Sequence, residues 1–118
     1  MNDHRLVLVV DRSEETREVL QTALRRRGVA TLAAAEPRRG VELAAKHHPA
    51  VIVIDLDSDD VQLEWFTPIQ QQSPDGGDVH LILLGSARRG KCTTLVGEFI
   101  AKPYHYGPLI RKIEELLE

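Results

Sequence analysis

The stretch over residues 50–57 constrains the fold of this chain more than any other. It carries an unbroken apolar run that ends at Asp55, and Asp57 follows two residues later. Apolar residues that do not alternate with polar ones are typical of a strand buried on both faces, as in a parallel sheet covered by helices. Periodicity alone would also allow a buried helix. Pro49 before the run and the acidic cluster at residues 57–60 after it favour a short strand.

Residues 5–11 repeat this pattern near the amino terminus, as a second continuous apolar run that ends at Asp11. A single Asp after a strand is most simply interpreted as a cap of the strand or of the following helix. Two buried strands that both end in Asp favour another interpretation. The carboxyl ends of parallel strands lie at one edge of a sheet, and binding sites form outside that edge.

Further strands are predicted at residues 29–33, 79–84 and 98–101. Segments with helical periodicity separate the strands. Strands that alternate with helices predict an α/β fold, in which right-handed crossovers place helices on both faces of a parallel sheet.

The predicted helices have recognisable ends. The first begins after Ser13, a good N-cap, and stops at Gly28. The second runs over residues 37–47, with Pro37 in its first turn. Its inward face is predicted to carry four apolar side chains: Val41, Leu43, Ala44 and Ala45. A third helix is predicted from Val61, Leu63, Trp65, Phe66 and Ile69, and an amphipathic final helix from Leu109, Ile110, Ile113, Leu116 and Leu117.

The length and composition indicate one soluble domain over residues 1–118. A net charge of −3 indicates neither a nucleic-acid nor a membrane partner. The single Cys92 excludes an internal disulfide and suits a reducing compartment. No apolar run reaches the length of a membrane span, so we expect a cytoplasmic location.

Four polar residues follow four of the predicted strands: Asp11 the first, Asp55 the third, Ser86 the fourth and Lys102 the fifth. In a parallel sheet these positions lie on one rim. Two carboxylates, a hydroxyl and an ammonium group can therefore converge there. Carboxylates with a divalent cation can hold a phosphoryl group. A hydroxyl and a lysine can bind its outer oxygens.

This arrangement resembles the receiver domain of bacterial two-component response regulators. The resemblance covers nearly the whole chain and rests on residues 8–11, 49–56, 86–87 and 99–104. It implies a flavodoxin-like, doubly wound sheet of five parallel strands in the order 2-1-3-4-5.

The resemblance also implies a role for each rim residue. Asp55 would be the phosphoacceptor, taking a phosphoryl group from the phosphohistidine of a sensor histidine kinase or phosphotransfer protein. Ser86 and Lys102 would contact the phosphoryl group. Asp11 and Asp55 would hold Mg²⁺, and Asp57 is a further predicted ligand that rests on its place two residues after Asp55 and not on the family pattern. Such a domain is not an enzyme and signals by binding a downstream protein. The sequence does not decide whether the chain forms a homodimer.

One departure from the family pattern affects the metal pocket. Receivers usually have two adjacent acids after the first strand, and here the second position is Arg12. A guanidinium cannot ligate Mg²⁺, and its charge opposes cation binding. Three arrangements remain open. Arg12 turns to solvent, or Asp57 supplies a carboxylate, or Arg12 pairs with Asp55. The last would leave a phosphorylation-independent pseudo-receiver that acts as a protein–protein interaction module.

A second departure is the interval from Ser86 to Lys102, which is shorter than the family norm by more than a helical turn. It predicts a shortened fourth helix. In the family, the peptide before the proline at position 103 is usually cis, and Phe99 falls where an aromatic side chain moves with phosphorylation. Partner choice does not transfer from the family, because the fourth helix usually helps to form the signalling surface.

Other ligand sites are weaker interpretations. Residues 85–92 nearly match a nucleotide-binding P-loop, but Cys92 replaces its Ser or Thr, and the following helix would have to end before Phe99. A flavin phosphate would meet two carboxylates in the loop over residues 12–15. His47 and His48 are adjacent on a helix end, so their side chains point apart and favour exposed histidines over a metal site.

Overall fold

A five-stranded sheet forms the centre of the computed structural model, which describes residues 5–57, 63–66, 68–69, 79–86 and 97–118. The strands are β1 (Leu6–Val10), β2 (Ala30–Ala34), β3 (Val51–Asp55), β4 (His80–Gly85) and β5 (Glu98–Ala101). The helices are α1 (Glu14–Arg26), α2 (Pro37–His47) and α3 (Tyr106–Leu117), and a 3₁₀ helix covers Leu63–Trp65.

All strand pairs are parallel, and their order is β2-β1-β3-β4-β5. The predicted α/β fold and strand order are therefore confirmed. In the register, Val9 lies opposite Val53 of β3, and Ile54 lies opposite Leu83 of β4. At the edge, Gly85 of β4 lies opposite Ala101 of β5. This register brings the carboxyl ends of β1, β3, β4 and β5 to one side of the sheet.

The unbroken apolar runs are explained by two cores, one on each face of the sheet. Successive side chains of a strand point to opposite faces, so a strand covered on both sides buries every residue. One core joins Val7, Val9, Val51 and Val53 to α1 and α3 through Leu20, Leu24, Ile110 and Ile113. The other joins Leu8, Val10, Ile52 and Ile54 to Ala44 of α2 and to Phe66. Each such aliphatic side chain contributes about 1.5–3 kcal/mol when it is fully buried.

The ends of α1 follow the sequence signals. Ser13 is the N-cap, and its Oγ accepts a hydrogen bond from the backbone N–H of Thr16 at 3.2 Å. Gly28 follows the helix with a φ of 79°, a conformation that glycine adopts without a steric penalty.

The inward face of α2 differs in part from the prediction. Ala44 is buried, and Val41 and Leu43 pack partly against the core, but Ala45 is exposed, so its predicted inward position was wrong. Gly40 lies on the inward face instead. A Cβ atom at Gly40 would lie 2.6 Å from Cγ2 of Val10, so α2 approaches β1 closely at this point.

Some predictions concern parts of the chain that the structure does not describe. The region predicted as a third helix forms a 3₁₀ helix at Leu63–Trp65, with Phe66 and Ile69 buried, whereas Val61 lies outside the described residues. The shortened fourth helix falls outside them as well, as does most of the P-loop-like stretch. Of the helices described, none is long and apolar enough to cross a bilayer.

Candidate functional site

The carboxyl ends of four strands surround one open depression of about 740 Å³. Asp55 is the last residue of β3, and Asp11 follows β1 directly. The backbone N–H of Asp11 donates to Ala34 O at 3.0 Å, and that of Lys102 donates to Gly85 O at 2.8 Å. These bonds extend the sheet ladders by one residue. Asp11, Asp55, Ser86 and Lys102 all line the depression, so the structure brings the four predicted rim residues together.

Asp55 is nearly buried, and its carboxylate forms an ion pair with the Lys102 ammonium group. Nζ of Lys102 lies 2.7 Å from Oδ1 of Asp55, whose side chain is 12% exposed. The backbone N–H of Asp57 donates to the same Oδ1 at 3.1 Å. Within the described residues, both hydrogen bonds to this carboxylate fall on Oδ1, which leaves Oδ2 as its unbonded oxygen.

Asp57 lies beside Asp55 and contacts two of the other rim residues. Its Oδ2 lies 3.2 Å from Nζ of Lys102, and its Oδ1 accepts a hydrogen bond from the backbone N–H of Ser86 at 3.3 Å. The Lys102 ammonium thus contacts two carboxylates. Burial opposes its charge, but the hydrogen bonds to Asp55 and Asp57 outweigh burial and raise the pKa of Lys102.

Among the residues that the structure describes, Asp11 is the other buried acid, with 5% of its surface exposed. Its Oδ1 accepts a hydrogen bond from the backbone N–H of Ser13 at 2.8 Å. Burial raises the pKa of Asp11, the Ser13 hydrogen bond opposes this, and the charge of Asp55 adds to the increase. The Arg17 guanidinium donates to the backbone carbonyl groups of Asp11 at 2.8 Å and Arg12 at 3.1 Å, which holds the loop after β1 in place.

Arg12 is exposed and lines the depression. It therefore brings a fixed positive charge to the depression that the two buried carboxylates also line, at the position where the resemblance implies an acid. The ammonium group of Lys102, and not a guanidinium, is the group that lies 2.7 Å from Asp55.

The predicted magnesium site needs Asp11, Asp55 and Asp57 to face one point. Asp57 instead contacts Lys102 and Ser86 with its two oxygens. Across the described ranges, no group of three or more His, Cys, Asp or Glu side chains is arranged to hold a metal ion. The donor set as arranged does not fit a site of three carboxylates, and Mg²⁺ binding stays a prediction.

Two tyrosines form a wall of the depression that the sequence analysis did not assign. Tyr104 and Tyr106 contact each other edge to face, with ring centroids 5.7 Å apart. Burial raises the pKa of Tyr104 to about 12, to which Tyr106 and Asp11 contribute. The hydroxyl of Tyr106 lies 3.5 Å from Oγ1 of Thr16 on α1. The only signal in the sequence was their position just after Lys102.

Two further expectations from the resemblance concern the region around β5. The peptide bond between Lys102 and Pro103 is cis, as the resemblance implies. Phe99 is partly buried and packs against the core on the α2 side of the sheet. Its predicted movement with phosphorylation stays a prediction.

No protein-family model matches the chain, and no curated protein matches its sequence. Solved structures match it closely in fold. The chemotaxis response regulator CheY4 of Vibrio cholerae is 20% identical, with a TM-score of 0.76 over 94% of this chain and 97% of that one. A response regulator receiver domain from Bermanella marisrubri is 16% identical, with a TM-score of 0.80 over 98% and 100%. The receiver domain of Francisella response regulator 1452 is 19% identical, with a TM-score of 0.77 over 95% of each chain.

Proposed function

We propose that this chain, which has the fold of response regulator receiver domains, accepts a phosphoryl group on Asp55 in a two-component phosphorelay. The observation that carries the proposal is the Asp55 carboxylate itself. It lies at the carboxyl edge of the sheet, 2.7 Å from the Lys102 ammonium, in a depression open to a donor. Such a carboxylate is a nucleophile placed beside a positive charge.

The chemistry follows from this geometry. An oxygen of Asp55 attacks the phosphorus atom of a phosphohistidine, and a new P–O bond forms as the P–N bond breaks. The imidazole keeps the electron pair of the broken bond and takes up a proton. Oδ2 is suited to the attack, because the described hydrogen bonds to Asp55 fall on Oδ1. Lys102 then offsets the charge on the acyl phosphate. Hydrolysis returns the carboxylate and inorganic phosphate.

The donor would be a sensor histidine kinase or a phosphotransfer protein, because both present phosphohistidine on a protein surface. Arg12 and Ser13, exposed at the rim of the depression, favour the approach of an anionic phosphoryl group. The signal would pass to a downstream protein that binds the phosphorylated form.

The proposal is tested by incubating the purified chain with phosphoramidate or acetyl phosphate in the presence of Mg²⁺. We expect wild type to acquire phosphate that is stable to acid and released by hydroxylamine, as an acyl phosphate is. Asp55→Asn is the matched control, since it keeps the shape of the side chain and removes the nucleophile. If wild type acquires no more phosphate than Asp55→Asn, the proposal fails.

A second candidate function is a phosphorylation-independent pseudo-receiver that acts as an interaction module. The observation that favours it is that the Lys102 ammonium already contacts the Asp55 and Asp57 carboxylates, while Arg12 lines the same depression. The two functions differ in their response to beryllofluoride, which mimics a phosphoryl group on Asp. A phosphoacceptor would bind beryllofluoride with Mg²⁺ and change its amide NMR spectrum. A pseudo-receiver would leave its spectrum unchanged.

A further inference from the structure

Asp57 contacts the same two residues that are predicted to bind a phosphoryl group on Asp55. Its Oδ2 lies 3.2 Å from Nζ of Lys102, and its Oδ1 accepts a hydrogen bond from the backbone N–H of Ser86 at 3.3 Å. These contacts join the carboxyl ends of β3, β4 and β5 through one side chain. Asp57 therefore holds the cation and a backbone donor that an incoming anion would need.

The exposure of the two acids differs in a way that bears on this role. The side chain of Asp55 is 12% exposed, whereas that of Asp57 is 36% exposed. An exposed carboxylate loses little when it moves into water, because ion pairs at exposed positions contribute little. Asp57 can therefore leave Lys102 and Ser86, while Asp55 keeps its place at the end of β3.

Repulsion between negative charges supports the same role for Asp57. A phosphoryl group on Asp55 would place its negative oxygens beside the Asp57 carboxylate, two residues further along the chain. The negative charges of the phosphoryl group and of the Asp57 carboxylate would repel each other. The phosphoryl group and Asp57 therefore compete for Lys102 and for the Ser86 N–H group.

We propose that Asp57 is a built-in competing anion: it occupies Lys102 and the Ser86 N–H while Asp55 is unmodified, and a phosphoryl group must displace it. The inference rests on the proposed function and gives Asp57 a role other than metal ligand. Asp57 thereby disfavours the phosphorylated state. Without phosphate, it keeps Lys102 and the Ser86 N–H in contact with its own carboxylate.

The first test measures phosphorylation by phosphoramidate in wild type, Asp57→Asn and Asp57→Ala. Asn keeps an acceptor for the Ser86 N–H but removes the charge next to Lys102, and Ala removes both. We expect both variants to be phosphorylated faster and to lose phosphate more slowly, each by about fivefold. Glu18→Gln, which removes an exposed carboxylate from α1, is the control and should not change either rate.

The second test does not depend on phosphate transfer. Inorganic phosphate is titrated into Asp55→Asn and into Asp55→Asn/Asp57→Asn, and the amide NMR signal of Ser86 is followed. The double variant should bind phosphate about fivefold more tightly, because the competing carboxylate is gone. Circular dichroism establishes that each variant is folded.

The outcomes separate this inference from the proposed function. Unchanged or slower phosphorylation in Asp57→Asn would overturn the competing role. If no variant with Asp55 intact is phosphorylated, the proposed function fails, and the phosphate titration alone then decides the role of Asp57. Equal phosphate affinity in the two titrated variants would overturn it.

Discussion

Nζ of Lys102 lies 2.7 Å from Oδ1 of Asp55, although Lys102 comes 47 positions later in the chain. The contact exists because β4 lies between β3 and β5 in register, so that their carboxyl ends are level. One residue belongs to β3 and the other directly follows β5, which makes their ion pair a link across half of the sheet.

Lys102→Met is expected to destabilise the domain by about 1–2 kcal/mol, between the values for exposed and buried ion pairs. The reason is that Asp55 would lose its cation in a nearly buried position. Because the pKa of Lys102 is raised above 10.5 in the folded state, its contribution is fully present below pH 10.5 and is lost as the pH rises through the folded pKa.

Urea denaturation at neutral pH and at pH values above 10.5 measures this effect. Arg111→Met, which removes an exposed cation from α3, is the control and should change stability little. A Lys102→Met variant as stable as this control would show that the ion pair does not stabilise the fold.

Asp11→Asn is expected to stabilise the domain at neutral pH. Burial raises the pKa of Asp11 above 3.8, so ionising the folded protein is harder than ionising the unfolded chain. Stability from this group is therefore highest below pH 3.8 and falls as the pH rises through the folded pKa. Asn keeps an oxygen for the Ser13 N–H and carries no charge. The gain in stability should disappear below pH 3.8; a gain that is the same at all pH values would contradict this cause.

The strands were predictable because each carries its own signal. The runs at Leu6–Val10 and over residues 51–54 are apolar throughout, which is what two covered faces require. Both ends of α1 were also predictable from local sequence, since Ser13 and Gly28 each act within one turn of the helix end beside them. The strand order came from the resemblance of the whole chain, and not from any single strand.

Gly40→Ala is expected to destabilise the domain by about 1–3 kcal/mol through overpacking. The new Cβ atom would lie 2.6 Å from Cγ2 of Val10, so α2 would have to move away from β1. Gly107→Ala on α3 is the matched control, because a Cβ atom there meets nothing within 4 Å. It should be neutral or stabilising, by up to about 1 kcal/mol. Thermal unfolding of both variants measures the difference, and equal effects would refute the close contact.

Arg12→Asp is expected to tighten Mg²⁺ binding by about tenfold, because it replaces a repelling charge with a carboxylate beside Asp11 and Asp55. Arg26→Asp makes the same charge change at the far end of α1 and is the control. Calorimetric titration with Mg²⁺ gives the affinities. An Arg12→Asp variant that binds Mg²⁺ no better than wild type would show that Arg12 does not oppose the metal.

The details that sequence reasoning missed depend on tertiary packing. Gly40 and Ala44 are four residues apart and share the inward face of α2, whereas Ala45 is turned about 100° away from Ala44 and is exposed. The close approach of α2 to β1 at Gly40 is a tertiary contact. Asp57 was predicted as a metal ligand because it could supply the carboxylate missing at Arg12, and that role stays a prediction. Its contacts with Ser86 and Lys102 arise from the register of three strands, which no local pattern encodes.

Locating the modified residue tests phosphate transfer to Asp55 most directly. Wild type is phosphorylated with phosphoramidate and treated with hydroxylamine, which converts an acyl phosphate into a hydroxamate, and its peptides are analysed by mass spectrometry. The predicted result is a hydroxamate at Asp55 in wild type and none in Asp55→Asn. Modification at another residue, or none in wild type, would contradict the phosphoacceptor role.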